Sequence, residues 1–135
     1  MFVSRSMVSQ VITIDKNASV FEAQEKMAAN GIRHLPIVDA DNRLIGIVTD
    51  RDIRSVMPYS LIKEKGIARE REKLAHLKVE DIMTRNPKTI SPMDTIQDAL
   101  LMIQKEKVGA FPVVDDKGKL QGILSVRDLL RAFIN

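Results

Sequence analysis

At 135 residues and 15.2 kDa the chain is long enough for one compact domain with a real core, whereas either half alone would be marginal. It has no Cys, no Trp and one Tyr, which excludes disulfides and thiolate metal sites and leaves the core to Ile, Val, Leu, Met and Ala. A net charge of +3, with both signs interspersed, suits an anionic small molecule and falls short of a nucleic-acid-binding signature. The apolar runs are far too short to cross a bilayer and the N-terminus lacks the apolar stretch of a secretory signal, so a soluble, cytoplasmic protein without membrane attachment is expected.

Residues 1–6 read as a loose lead-in. Val11 to Ile14 is rich in β-formers and predicts a short strand. Ser19-x-x-Glu22 is a capping box opening a helix that ends at Asn30-Gly31, with Val20, Ala23, Met27 and Ala28 as its apolar face. A hairpin follows: His34 to Val38, a turn through Asp39-Ala40-Asp41-Asn42, then Arg43 to Thr49. A final helix starts near Asp50 and stops before Pro58. Residues 59–78 alternate opposite charges and read as a solvated linker or helix.

The second half follows the same script, with Thr89-Ile90, Thr95-x-x-Asp98 at the helix start, Asp116-Lys117-Gly118 in the turn, and Leu129, Leu130 and Phe133 on the last helix. Laid over each other without a gap, residues 7–57 and 83–133 are identical at 12 of 51 positions. The chain is therefore two copies of one strand-helix-strand-strand-helix unit, 7–58 and 79–135. The continuous apolar character of Leu44 to Val48 and of Ile123-Leu124 predicts strands covered on both faces, which places the chain in the α/β (α+β) class.

Each copy repeats one heptapeptide: Gly46-Ile47-Val48-Thr49-Asp50-Arg51-Asp52 and Gly122-Ile123-Leu124-Ser125-Val126-Arg127-Asp128. A strand-end hydroxyl followed three residues later by a carboxylate in the first helical turn can cap the helix. The same carboxylate is an acceptor-only group suited to the vicinal diol of a ribose, with Arg51 or Arg127 beside it to neutralise a phosphate or to pair with a neighbouring acid. No metal-ligand spacing surrounds His34 and His76, and no nucleophile elbow or P-loop is present, so neither a metal, a catalytic cofactor nor an enzyme activity is expected. The turn carboxylates Asp39, Asp41, Asp115 and Asp116 read as turn formers, and Met27, Met57, Met83 and Met102 as core filling.

The tandem Gly-h-h-Thr/Ser-x-x-Asp, each preceded by a Pro-h-Val-Asp hairpin, resembles a pair of CBS motifs, and Asp81-Ile82-Met83-Thr84 is similar to the family's repeat entrance, with Met7 as its weaker counterpart. The resemblance implies a Bateman module: two βαββα units packed with pseudo-twofold symmetry, whose clefts bind adenosine-containing ligands such as AMP, ADP, ATP or S-adenosylmethionine. It assigns ribose to Asp52 and Asp128, hydroxyl contacts to Thr49 and Ser125, and the base to Thr13-Ile14, Thr89-Ile90 and the residues before Pro36 and Pro112. At that last place the copies differ: Arg33-His34 suits phosphate, whereas Gly109-Ala110, ahead of Phe111, leaves space and little charge. The implied role is a regulatory module that signals ligand occupancy to a partner protein. The family also tends to dimerise through its helices, here through Ile53, Val56 and Met57 and through Leu129, Leu130, Phe133 and Ile134, so a homodimer is expected. The rival readings are a ligand-free structural dimeriser and, less favoured for want of aromatic platforms, a nucleic-acid binder.

Overall fold

The computed structural model describes residues 1–56 and 74–134; Met57 and most of the linker expected over 59–78 lie outside them. Its elements are helix α1 (Val20–Asn30), strands β1 (His34–Val38) and β2 (Leu44–Thr49), helices α2 (Asp50–Ser55) and α3 (Val79–Ile82), strand β3 (Thr84–Arg85), helix α4 (Ile96–Glu106), strands β4 (Ala110–Val114) and β5 (Leu120–Ser125), and helix α5 (Val126–Ile134). They belong to two compact units that interleave in sequence: residues 13–39 with 45–86, and residues 1–12 with 40–44 and 87–135.

In the unit of residues 13–39 and 45–86, the sheet has the order β1-β2-β3, and β3 is antiparallel to β2 with Gly46 opposite Arg85 and Ile47 opposite Thr84. Helix α1 starts where the Ser19 hydroxyl accepts from the Glu22 N–H and ends at Gly31, which takes φ 62° and donates back to the Met27 carbonyl. Its buried face is Val20, Ala23 and Met27. Ala28 is exposed instead, because at about 100° per residue it lies roughly 80° around the helix from Val20. The expected strand over 11–14 reduces to one parallel bridge, Ile14 to Ile37.

In the other unit β4 and β5 pair antiparallel, with a bulge that leaves Gln121 between the Val113–Gly122 and Val114–Leu120 partners. Helix α4 opens with a reciprocal capping box between Thr95 and Asp98 and ends with Lys107 at φ 55°. Val3, Ile90, Ile96, Ala99, Phe111, Val113, Leu124 and Leu129 form its core. Val3 overturns the expectation of a loose lead-in: residues 3–5 make a 3-10 turn, the Val3 N–H donates to the Asp94 carbonyl at 2.8 Å, and the Ser4 N–H donates to that of Pro92 at 3.1 Å. Val8 then bridges Ile123 antiparallel.

The opening segment of each repeat thus lines the third strand of the other: Val8 on β5, Thr84-Arg85 on β2. This explains the glycine of the repeated heptapeptide. A Cβ at Gly46 would stand 2.6 Å from Met83 Sδ and 3.0 Å from the Thr84 carbonyl; at Gly122 it would stand 2.7 Å from Met7 Sδ and 2.8 Å from the Val8 carbonyl. Neither position has room for a side chain.

The hairpin turn of residues 40–44 packs within the second unit, on the turn of residues 115–120. Arg43 bridges Lys119 antiparallel; the Leu44 N–H donates to the Gly118 carbonyl at 3.0 Å and the Leu120 N–H to that of Asn42 at 2.9 Å. Each partner is the other's equivalent at a shift of 119 − 43 = 76 residues, so this contact is locally twofold.

Candidate functional site

Both heptapeptides end in the same local structure. At the start of α2, the Thr49 N–H donates to Asp52 Oδ2 at 2.9 Å and the Asp52 N–H donates to Thr49 Oγ1 at 3.2 Å. At the start of α5, the Ser125 N–H donates to Asp128 Oδ2 at 2.9 Å and the Asp128 N–H to Ser125 Oγ at 3.1 Å. The capping role is therefore real in both copies, and it engages only one carboxylate oxygen: Oδ1 of Asp52 and of Asp128 has no partner among the described residues. Asp128 is 9% exposed, the one buried charged residue among the described residues; Asp52 is half-buried.

The hydroxyls differ. Ser125 Oγ donates its own proton to Asp128 Oδ2 at 2.9 Å, whereas the Thr49 hydroxyl proton has no acceptor among the described residues. Arg51 and Arg127 are exposed and make no ion pair with another described residue. The pair that does form on α2, Arg54 with Asp50 at 3.6 Å, is exposed and contributes little.

The strand starts lie beside these caps within the same repeat. The Asp50 N–H donates to the Arg33 carbonyl at 3.1 Å, and the Val126 N–H to the Gly109 carbonyl at 2.9 Å. His34 is half-buried there, and desolvation holds its imidazole below the ordinary 6.5; Asp50 opposes that shift, Arg33 adds to it, and Asp52 opposes it. Arg33 is exposed. In the second copy Ala110 and Phe111 are buried and Phe111 is fully in the core, so what it can offer a ligand is backbone. Ile14 and Ile90 are likewise buried, and the Ile14 and Ile90 N–H groups donate to the Pro36 and Pro112 carbonyls, each at 3.1 Å. Sequence reasoning missed Lys26, whose Nζ donates to the Thr13 carbonyl at 2.7 Å; a lysine on an exposed helical face carries no signal of such a contact.

Among the described residues no three His, Asp or Glu side chains are grouped to hold a metal ion, and no helix is long and apolar enough to cross a membrane. Asp115 is a turn former as expected: its Oδ1 accepts from the Lys117 and Lys119 N–H groups, both at 2.9 Å, and the Lys119 bond leads in holding its carboxyl below the usual range.

Comparison with known proteins agrees with this architecture. The chain is 36% identical over 132 residues to a CBS domain-containing protein of Dictyostelium discoideum, covering 98% of this chain and 90% of that one. Other curated relatives, named inosine-5'-monophosphate dehydrogenase and homoserine O-acetyltransferase, are matched over 22% to 24% of their length. Among solved structures it resembles the CBS domain pair of protein MJ0100 in complex with 5-methylthioadenosine and S-adenosyl-L-methionine, at 30% identity and TM-score 0.79, covering 98% of this chain and 99% of that one. It also resembles CBSX2 of Arabidopsis thaliana in complex with AMP, at 27% identity and TM-score 0.81, covering 98% and 96%. A model of the CBS domain family matches residues 3–59 and again 79–135, and the chain belongs to that family as a tandem pair of CBS repeats.

Proposed function

We propose that the chain is a non-catalytic sensor module, two repeats (7–58 and 79–135) joined by residues 59–78, that binds adenosine-containing ligands such as AMP, ADP, ATP or S-adenosylmethionine and passes their occupancy to a partner protein. The observation that carries the reading is the pair of carboxylates, Asp52 and Asp128, each fixed through Oδ2 and open at Oδ1. A preorganised acceptor of this kind suits a vicinal diol, since the rotamer is already set before the ligand arrives. The solved relatives carrying methylthioadenosine, S-adenosylmethionine and AMP support the choice of ligand class.

Thr49 supplies a hydroxyl proton without an acceptor among the described residues, Arg33 and Arg51 supply positive charge to a phosphate-bearing ligand in the first repeat, and the neutral His34 imidazole supplies a hydrogen bond. Ser125, Arg127, Gly109 and Ala110 form the less charged counterpart, and the backbone of Thr13-Ile14, Thr89-Ile90 and Phe111 reads the base. A ligand shifts the module only by binding one of its states better than another. The module works as a cytoplasmic homodimer. Leu130, Phe133 and Ile134, which are 58%, 62% and 81% exposed, supply the apolar face; Ile53 and Leu129, expected on that face, are core residues instead.

The caps favour one rival, a ligand-free structural module in which the carboxylates only start helices. Isothermal titration of AMP, ADP, ATP and S-adenosylmethionine into the wild type and the Asp52→Asn and Asp128→Asn variants separates the two. The amide oxygen still accepts the cap N–H, but the charge is gone. Loss of charge-assisted bonds worth about 1.5–3 kcal/mol weakens binding by roughly 10- to 150-fold, with unfolding free energy within about 1 kcal/mol of wild type. Unchanged affinity in both variants, or no binding of any of the four ligands, refutes the ribose assignment.

A further inference from the structure

Thr13 and Thr89 are equivalent residues, and the Ile14 and Ile90 N–H groups that follow them both point to the neighbouring strand, at 3.1 Å from the Pro36 and Pro112 carbonyls. No peptide bond in the described residues is cis. In a trans peptide the carbonyl lies opposite the N–H, so the Thr13 and Thr89 carbonyls point away from β1 and β4. These are two of the backbone acceptors that the proposed function assigns to the base.

They do not offer the same chemistry. The Thr13 carbonyl is met by the Lys26 ammonium at 2.7 Å. The residue equivalent to Lys26, at 26 + 76, is Met102, a partly buried thioether packed on the core with no proton to donate. The Thr89 carbonyl has no partner among the described residues. At the same point one repeat therefore presents a cation with two further protons to donate, and the other presents a bare acceptor.

We propose that Lys26 is a specificity-determining residue: it masks the base-reading carbonyl of the first repeat, so that this repeat favours a 6-oxopurine nucleotide while the second favours adenine. The reason is the polarity of the purine 6-position. An adenine amino group donates, matching the bare Thr89 carbonyl and clashing with an ammonium; a 6-oxo group accepts, matching the ammonium and repelling a bare carbonyl. The inference rests on the nucleotide-binding reading of the site.

The test is calorimetric titration of AMP and of IMP into the wild type, Lys26→Met and Lys26→Arg. Lys26 is exposed, so neither substitution disturbs the core. In Lys26→Met the affinity for IMP falls about tenfold, the worth of one hydrogen bond, and the AMP stoichiometry rises from one to two per chain. Lys26→Arg, which keeps a charged donor, behaves as the wild type. Equal weakening of AMP and IMP in Lys26→Met means that the residue acts as a charge alone and overturns the inference, as does an unchanged preference. Binding of AMP without binding of IMP to the wild type overturns the inference and leaves the nucleotide reading standing, whereas failure of both to bind overturns that reading with it.

Discussion

Replacing Val3 by Ala tests whether the N-terminal segment is part of the core. Val3 is 0% exposed and sits in the cluster of Ile90, Ile96, Phe111, Leu124 and Leu129. The change removes two methyl groups from a site held at the backbone by the Val3 N–H bond to Asp94 and the Ser4 N–H bond to Pro92. Two buried carbons at about 0.8 kcal/mol each, with a cavity that the tethered turn cannot close, sum to about 2 kcal/mol. Urea unfolding followed by circular dichroism reads the loss as a lower midpoint at unchanged slope. The exposed neighbour supplies the control, since Ser4→Ala stays within about 0.5 kcal/mol. A Val3→Ala midpoint equal to that of the wild type would refute the packing argument and restore the loose lead-in.

Three further outcomes follow from backbone and charge. Gly31 and Lys107 end equivalent helices in the left-handed region, at φ 62° and 55°, and nothing lies within 4 Å of a Cβ built on Gly31. Gly31→Ala therefore costs about 1 kcal/mol in conformation alone, and Lys107→Gly gains about 0.5 kcal/mol after the unfolded chain's added freedom is subtracted; thermal melts of opposite sign check both. For His34, burial lowers the folded imidazole below 6.5, so in the window beneath that value the unfolded chain binds more protons than the folded one. The stability contributed by neutral His34 is whole above about pH 6.5 and is lost as pH falls through the folded value. His34→Gln flattens that part of the profile, and a wild-type slope in the variant would contradict the burial argument.

What the sequence showed plainly was whatever depends on neighbours. The bounds of β1, the Ser19 and Thr95 caps and the Gly31 stop are set within a few residues of where they act. Val3 was illegible because Met-Phe-Val-Ser-Arg-Ser has no period of its own and its packing partners begin at Ile90. Val11 to Ile14 carried strand propensity without strand pairing, since only Ile14 meets a partner, on β1. The heptapeptide's glycine was legible as a motif and not as a cause. Only the strand exchange shows that a carbonyl, of Thr84 or Val8, occupies the place of its side chain.

The residues that remain identical between the copies can now be sorted by what the fold asks of them. Ala23 and Ala99 are fully buried, Gly46 and Gly122 admit a neighbouring strand, Ile14 and Ile90 bridge β1 and β4, and Asp52 and Asp128 close capping boxes. Each has a packing or hydrogen-bonding reason to stay the same, so its identity adds nothing to a ligand argument. Arg51 and Arg127 have no such reason: both are exposed, and neither has a partner among the described residues. A surface arginine next to a cap is replaceable at little cost to stability. That both copies nevertheless place a guanidinium one residue before the capping carboxylate supports a shared anionic ligand independently of the carboxylates themselves. The divergent positions complete the logic. Lys26 against Met102 and Arg33-His34 against Gly109-Ala110 carry no cap, so the copies could separate there without loss of fold, and that is where the two proposed half-sites part in charge and in hydrogen-bond polarity.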